Sequence, residues 1–143
     1  MTDTFTGRGT CLCGATGFES ETIAKKIGAC HCSMCRKWGG GPLLAVDCGT
    51  KVVLRGEENI GVYDSSEWAE RGFCKQCGTH LFYRLKETQQ YIAPAGLLDV
   101  DTSLLVFDHQ VFIDEKPSYY DFANETHTMT GEEVFAKYAP SGE

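Results

Sequence analysis

The segments TFTGRGTC and ATGFES alternate small or polar residues with larger ones, the period of a half-buried strand. They read as a hairpin turning at Cys11-Leu12-Cys13-Gly14. Downstream, PLLAV has the apolar content of a buried strand, and further strands are expected over Val52 to Arg55, Ile60 to Asp64 and Trp68 to Phe73. Each is closed by glycine, charge or a Ser-Ser turn. His80 to Leu85 and Tyr91 to Leu98 form the next expected hairpin. Before residue 130 no stretch keeps a 3.6-residue apolar period for long, so the fold is expected to be mainly β. At the end, Thr130-Gly131-Glu132-Glu133 matches a capping box, and Val134, Phe135 and Tyr138 give a short terminal helix one apolar face. The tail Pro140 to Glu143 is expected to fray.

Between these elements lie eight cysteines in three close groups and one outlier. Cys11-x-Cys13 sits in the first turn. Cys30-x-Cys32-x-x-Cys35 falls between strands, entered through KKIGACHC and left through the glycine loop Gly39-Gly40-Gly41. Cys74-x-x-Cys77-Gly78 has the form of a zinc knuckle, in which Gly78 supplies the unusual backbone angle at the exit. Cys48 stands apart and reads as a small buried hydrophobe.

Length and charge narrow the picture. At 143 residues the chain is expected to form one domain, 1–143. Lys and Arg number 13 against 20 Asp and Glu, a formal net charge of −7, and basic residues gather only in the pairs Lys25-Lys26 and Arg36-Lys37. A nucleic-acid partner is not expected, because phosphate binding needs a basic face. The start MTDTFTGRGTCLCG lacks an export signal and no window approaches the ~18 apolar residues of a membrane helix. A cytoplasmic location is therefore expected, and the sequence leaves the oligomeric state open.

Thiols in the cytosol are kept reduced, so the cysteine spacing points to metal, with zinc first. Two separated pairs, Cys11 with Cys13 and Cys74 with Cys77, can supply the four thiolates of a closed structural site. Cys30, Cys32 and Cys35 then form a three-sulfur set, the ligand count of catalytic zinc sites with an open position. Two alternatives stand beside this: a fourth ligand from His31, Cys48 or His80 makes the trio structural, or two of its thiols form a reversible disulfide. In an extended segment His31 points away from both neighbouring sulfurs, so it is expected to be packed or hydrogen bonded. His80, His109 and His127 carry no ligand spacing. Arg36 and Lys37 can bind carboxylates of an acidic ligand or form a solvated basic pair. Trp38 and Trp68 are expected in the core or a pocket wall.

The ordered set Gly9-x-Cys11-x-Cys13-Gly14, Cys30-His31-Cys32-x-x-Cys35-Arg36-Lys37 and Phe73-Cys74-x-x-Cys77-Gly78-Thr79-x-Leu81 resembles the glutathione-dependent formaldehyde-activating enzyme family, which also includes centromere protein V. The likeness extends more weakly through Gly96-Leu97-Leu98-Asp99 and His109 to Asp121. It implies a β-tent of antiparallel sheets, a structural zinc on Cys11, Cys13, Cys74 and Cys77, and a second zinc on Cys30, Cys32 and Cys35. It further implies a carbon–sulfur lyase that joins glutathione and formaldehyde into S-(hydroxymethyl)glutathione. Arg36 and Lys37 are then candidates for holding glutathione's carboxylates. The chain carries Tyr119-Tyr120 where the family commonly has tryptophan. The competing reading is a non-catalytic interaction or chaperone-like module with two structural metals, since function belongs to sites and not to folds.

Overall fold

The computed structural model describes residues 3–138, without the side chain of Tyr138. In chain order the elements are β1 (Thr4–Thr10), β2 (Gly17–Ala24), β3 (Lys26–Cys30), α1 (Ser33–Gly39), β4 (Leu43–Gly49), β5 (Val52–Arg55), β6 (Ile60–Tyr63), β7 (Ala69–Cys74), β8 (His80–Leu85), β9 (Tyr91–Pro94), β10 (Val106–Val111), β11 (His127–Met129) and α2 (Gly131–Tyr138). The fold is mainly β, as the alternation predicts. Contacts divide the described chain into two compact units. The first runs to Lys25 and resumes over Ala45–Leu105; the second combines Lys26–Leu44 with the chain from Val106 onward.

Every strand pair within the first unit is antiparallel. β2 lies between β1 and β5, and the remaining strands run in the order β4-β9-β8-β7-β6. Two hydroxyls fasten β2 to β4: Ser20 Oγ donates to the Cys48 carbonyl at 2.6 Å and Thr22 Oγ1 donates to the same oxygen at 3.1 Å. The core there comprises Phe18, Ile23, Val46, Leu81, Phe82 and Ala93, with Cys48 fully buried among the apolar residues, as expected of a lone structural thiol. Gly72 is required by close packing, since a Cβ at that position would overlap the Phe82 ring.

In the second unit the strands are parallel: β10 pairs with β3 on one side and with β11 on the other. The parallel pairs thus lie in the second unit, and β10 and β11 add strands where no pattern marked them. The terminal helix begins as its sequence predicts. Thr130 N–H donates to Glu133 Oε1 at 2.8 Å, and Glu133 N–H donates to Thr130 Oγ1 at 3.1 Å, closing both halves of the box. Phe135 meets Phe112 edge to face at 5.7 Å between centroids, yet remains 53% exposed, so the apolar face is only partly covered. The expected contribution of the Tyr138 side chain and the tail Pro140 to Glu143 lie outside the described residues.

Three local expectations change. The middle cysteines do not simply lie between strands: Cys30 closes β3, Cys32 is the N-cap of α1 and Cys35 sits within that helix. The strand expected from Trp68 begins at Ala69, and Trp68 is 49% exposed, its indole N–H donating to Tyr83 Oη at 3.1 Å. An aromatic ring with a polar handle can stay at the surface, so Trp68 is not a core residue. Finally, the strand from Tyr91 ends at Pro94 and gives way to a 3-10 turn over Ala95–Leu97. Proline has no amide hydrogen with which to extend the ladder.

Candidate metal centres

The first unit brings Cys11 and Cys13 to the turn between β1 and β2, and Cys74 and Cys77 to the turn leaving β7. Both turns are closed by the same device. Gly14 N–H donates to the Cys11 carbonyl at 3.2 Å and Gly78 N–H to the Cys74 carbonyl at 2.8 Å, with φ of +83° and +81° at the two glycines. Those angles favour residues without a Cβ. The four sulfurs lie within 4.8 Å of one another, including Cys11 Sγ to Cys13 Sγ at 3.6 Å and Cys13 Sγ to Cys74 Sγ at 3.8 Å. A tetrahedron with zinc–sulfur bonds of ~2.3 Å has edges of ~3.8 Å, so this donor set fits zinc in number, chemistry and spacing. The distances are also far beyond the ~2.05 Å of a disulfide.

Two threonines complete the cluster. Thr16 N–H donates to Cys11 Sγ at 3.3 Å, and the Thr16 hydroxyl is buried beside it. Burial pushes the Cys11 thiol up, but these Thr16 contacts together with Cys13 and Cys74 outweigh it and bring it down to about 7. Thr79 Oγ1 lies 3.1 Å from Cys77 Sγ and accepts the Leu12 N–H at 3.1 Å, linking the two turns. The Thr79 hydroxyl, then the Thr79 and Cys13 amides, lower Cys77 to about 5. Such donors stabilise thiolate charge, the form a metal binds. Thr79 belongs to the quoted Cys-Gly-Thr motif, whereas Thr16 carries no mark in the sequence.

The second unit holds the other cluster. Cys30, Cys32 and Cys35 have sulfurs within 4.8 Å of one another, and among the described residues no fourth His, Cys, Asp or Glu donor joins them. Cys35 is buried; Cys30 and Cys32 are half-buried. Helix α1 makes the convergence possible. Cys32 Sγ accepts the Cys35 N–H at 3.4 Å, replacing the oxygen of an ordinary N-cap, and Gly40 closes the helix with φ of +85° while its N–H donates to the Arg36 carbonyl at 2.7 Å. Contacts with Cys32 and Cys35 push the Cys30 thiol up, whereas contacts with Cys30 and Cys35 pull Cys32 down to about 2. Crowded thiols divide negative charge unequally, so one of the trio carries the thiolate while another keeps its proton.

His31 is not a ligand. Its side chain is fully buried: Nε2 lies 2.7 Å from Gln110 Oε1, and Nδ1 lies 2.9 Å from Tyr120 Oη. Because Gln110 Oε1 only accepts, Nε2 carries the proton and Nδ1 accepts from the tyrosine hydroxyl. Neither Cys48 nor His80 joins the trio. Arg36 is half-buried and its Nε donates to the His31 carbonyl at 2.9 Å, whereas Lys37 is exposed; both stand in the last turn of α1. The roles of Tyr120 and Gln110 were not visible in the sequence, which separates them from His31 by 89 and 79 residues.

A mainly β chain with one four-cysteine and one three-cysteine cluster, each able to hold a metal ion, is the framework of a small cysteine-clustered domain. The model of the glutathione-dependent formaldehyde-activating enzyme family matches residues 6–115, and the chain belongs to that family. It is 40% identical over 126 residues to an uncharacterized lyase of Schizosaccharomyces pombe, covering 88% of this chain and 92% of the relative. It is also 25% identical over 123 residues to a Halomonas elongata protein, covering 79% and 78% of the two chains. That protein's name assigns it provisionally to the glutathione-dependent formaldehyde-activating enzymes. Among solved structures, a Rhodobacter sphaeroides protein superposes with a TM-score of 0.57 at 27% identity, covering 67% of this chain and 92% of the other. No helix among the described residues is long and apolar enough to cross a membrane.

Proposed function

We propose that this protein is a carbon–sulfur lyase of S-(hydroxymethyl)glutathione synthase type, uniting the thiol of glutathione with formaldehyde or cleaving the adduct. Family membership and the lyase named among the relatives support an enzyme of this kind. The observation that carries the reading is the convergence of Cys30, Cys32 and Cys35 without a fourth donor among the described residues. A zinc ion held there would supply positive charge that favours the thiolate form of an incoming thiol.

The remaining work falls to side chains of the chain. Arg36, anchored through Nε, leaves its terminal guanidinium nitrogens for a substrate carboxylate, and the exposed Lys37 ammonium adds a second cation one residue on. Holding both reactants beside the trio converts a two-body encounter into a positioned one. In the addition a carbon–sulfur bond forms as the carbonyl π bond opens, and the oxygen takes up the proton that the thiol released. Cleavage reverses each change. The four-sulfur cluster serves the fold.

Exchange NMR of glutathione, formaldehyde and their adduct tests the reading against the uncatalysed background. The zinc-loaded protein is expected to accelerate exchange, and Cys35→Ser to return it to background while retaining one zinc per chain. A wild-type protein with two bound zincs and no acceleration would remove the enzyme assignment in favour of an interaction module.

A further inference from the structure

The hydrogen-bonded chain behind the three-sulfur cluster runs through four residues of the second unit. Gln110 Nε2 donates to Thr126 Oγ1 at 2.8 Å, His31 Nε2 donates to Gln110 Oε1 at 2.7 Å, and Tyr120 Oη donates to His31 Nδ1 at 2.9 Å. Each donor direction follows from the one before it, because the Gln110 amide nitrogen is spent on Thr126 and its oxygen can only accept. The imidazole is thereby held in one tautomer and one rotation. The Tyr120 ring also stacks on it, 5.5 Å between centroids at 28°, and the Phe122 ring lies 6.0 Å away.

His31 lies between two of the three sulfur-bearing residues, and its own carbonyl accepts the Arg36 Nε. Fixing the imidazole therefore fixes the peptide units that aim Cys30 and Cys32 and the oxygen that anchors Arg36. Tyr120 is itself held from behind, since Lys116 Nζ donates to its carbonyl at 2.6 Å and pairs with Asp121 at 2.7 Å.

We propose that Tyr120 is a positioning residue of the three-sulfur site: its hydroxyl locks buried His31, and through His31 the backbone that presents Cys30 and Cys32 and the carbonyl that orients Arg36. Removing the hydroxyl leaves Nδ1 of a fully buried imidazole without a donor, and the ring regains rotational freedom where the sulfurs need a fixed frame. A tryptophan at the same position has an indole N–H and can restore a donor.

The metal-affinity part of this inference stands apart from the proposed reaction; the part concerning Arg36 rests on it. The test is titration of the metal-free full chain with cadmium alone, followed through sulfur-to-metal charge-transfer absorption, in wild type, Tyr120→Phe and Tyr120→Trp. The four-sulfur cluster is an internal reference. Tyr120→Phe is expected to weaken the second equivalent roughly tenfold, within the range seen when support behind a metal site is lost, while leaving the first unchanged. Tyr120→Trp is expected to recover most of the loss. Where exchange activity is present, Tyr120→Phe should raise the glutathione KM more than it lowers kcat. An unchanged second equivalent, or equal weakening of both, overturns the proposal, the latter by showing a general loss of fold. A selective weakening in a protein that fails to accelerate exchange sustains the positioning role and removes the enzyme reading.

Discussion

Replacing Cys13 and Cys77 together by serine separates the metal contribution to stability from packing. Cys13 is exposed and Cys77 half-buried, so the exchange of sulfur for oxygen removes little buried surface. One cysteine would remain on each turn, too few to hold zinc in a closed site. The bond lost is a cross-link between sulfurs of residues 61 apart in sequence, Cys13 and Cys74. Closing a loop of that length restricts the unfolded chain by ~4 kcal/mol, a large share of the ~5–15 kcal/mol that stabilises an ordinary domain. Urea unfolding with zinc present should therefore show the double variant about 4 kcal/mol less stable than wild type. The same comparison in excess chelator should show almost no difference. A loss below ~1 kcal/mol with zinc, or one that persists under chelation, would refute the claim that metal joins the two turns, since surface exchanges without such a role fall near ±0.5 kcal/mol.

Two further tests follow from the first unit. Gly72→Ala forces a methyl group into the buried Phe82 ring and should cost about 1–3 kcal/mol of overpacking, read as a lower Tm; an unchanged Tm would show that the ring gives way without strain. Burial, reinforced by the Arg71 charge, holds His80 below its ordinary 6.5. The stability gained by keeping it neutral is present above the unfolded value and lost as pH falls through the lower folded one, because the unfolded chain takes up the proton first. The stability difference between wild type and His80→Gln should therefore shift against wild type from roughly pH 7 to pH 5, and a constant difference would dismiss the assignment.

What could be read before folding was what local chemistry dictates. The knuckles were legible because cysteines two or three residues apart followed by glycine admit few backbone paths, and the structure gives Gly14 and Gly78 the left-handed angles that those paths require. Strands β5 and β8 begin and end where their pattern does, since turn residues bound them on both sides. The capping box at Thr130 is likewise a four-residue matter. Helix α1 was missed because seven residues make less than two turns and its N-cap is a cysteine, a residue with little capping preference. β10 and its parallel partners were missed for another reason. Val106–Val111 joins β3 across a long stretch of chain, and such pairing leaves no mark in either segment alone. The setting of His31 shows both limits together: its burial was anticipated from its place between two sulfurs, whereas Tyr120 and Gln110 enter only through the tertiary fold.

The two clusters differ in how much chain each one spans. Cys30 to Cys35 is a six-residue clasp, so an ion there would cross-link no distant segments and could bind, more weakly, the same stretch in an unfolded chain, which limits how far its loading stabilises the native state. An ion held there would be able to leave or exchange without loosening the rest of the molecule. Of the two clusters, the clasp is the one whose emptying the architecture better tolerates.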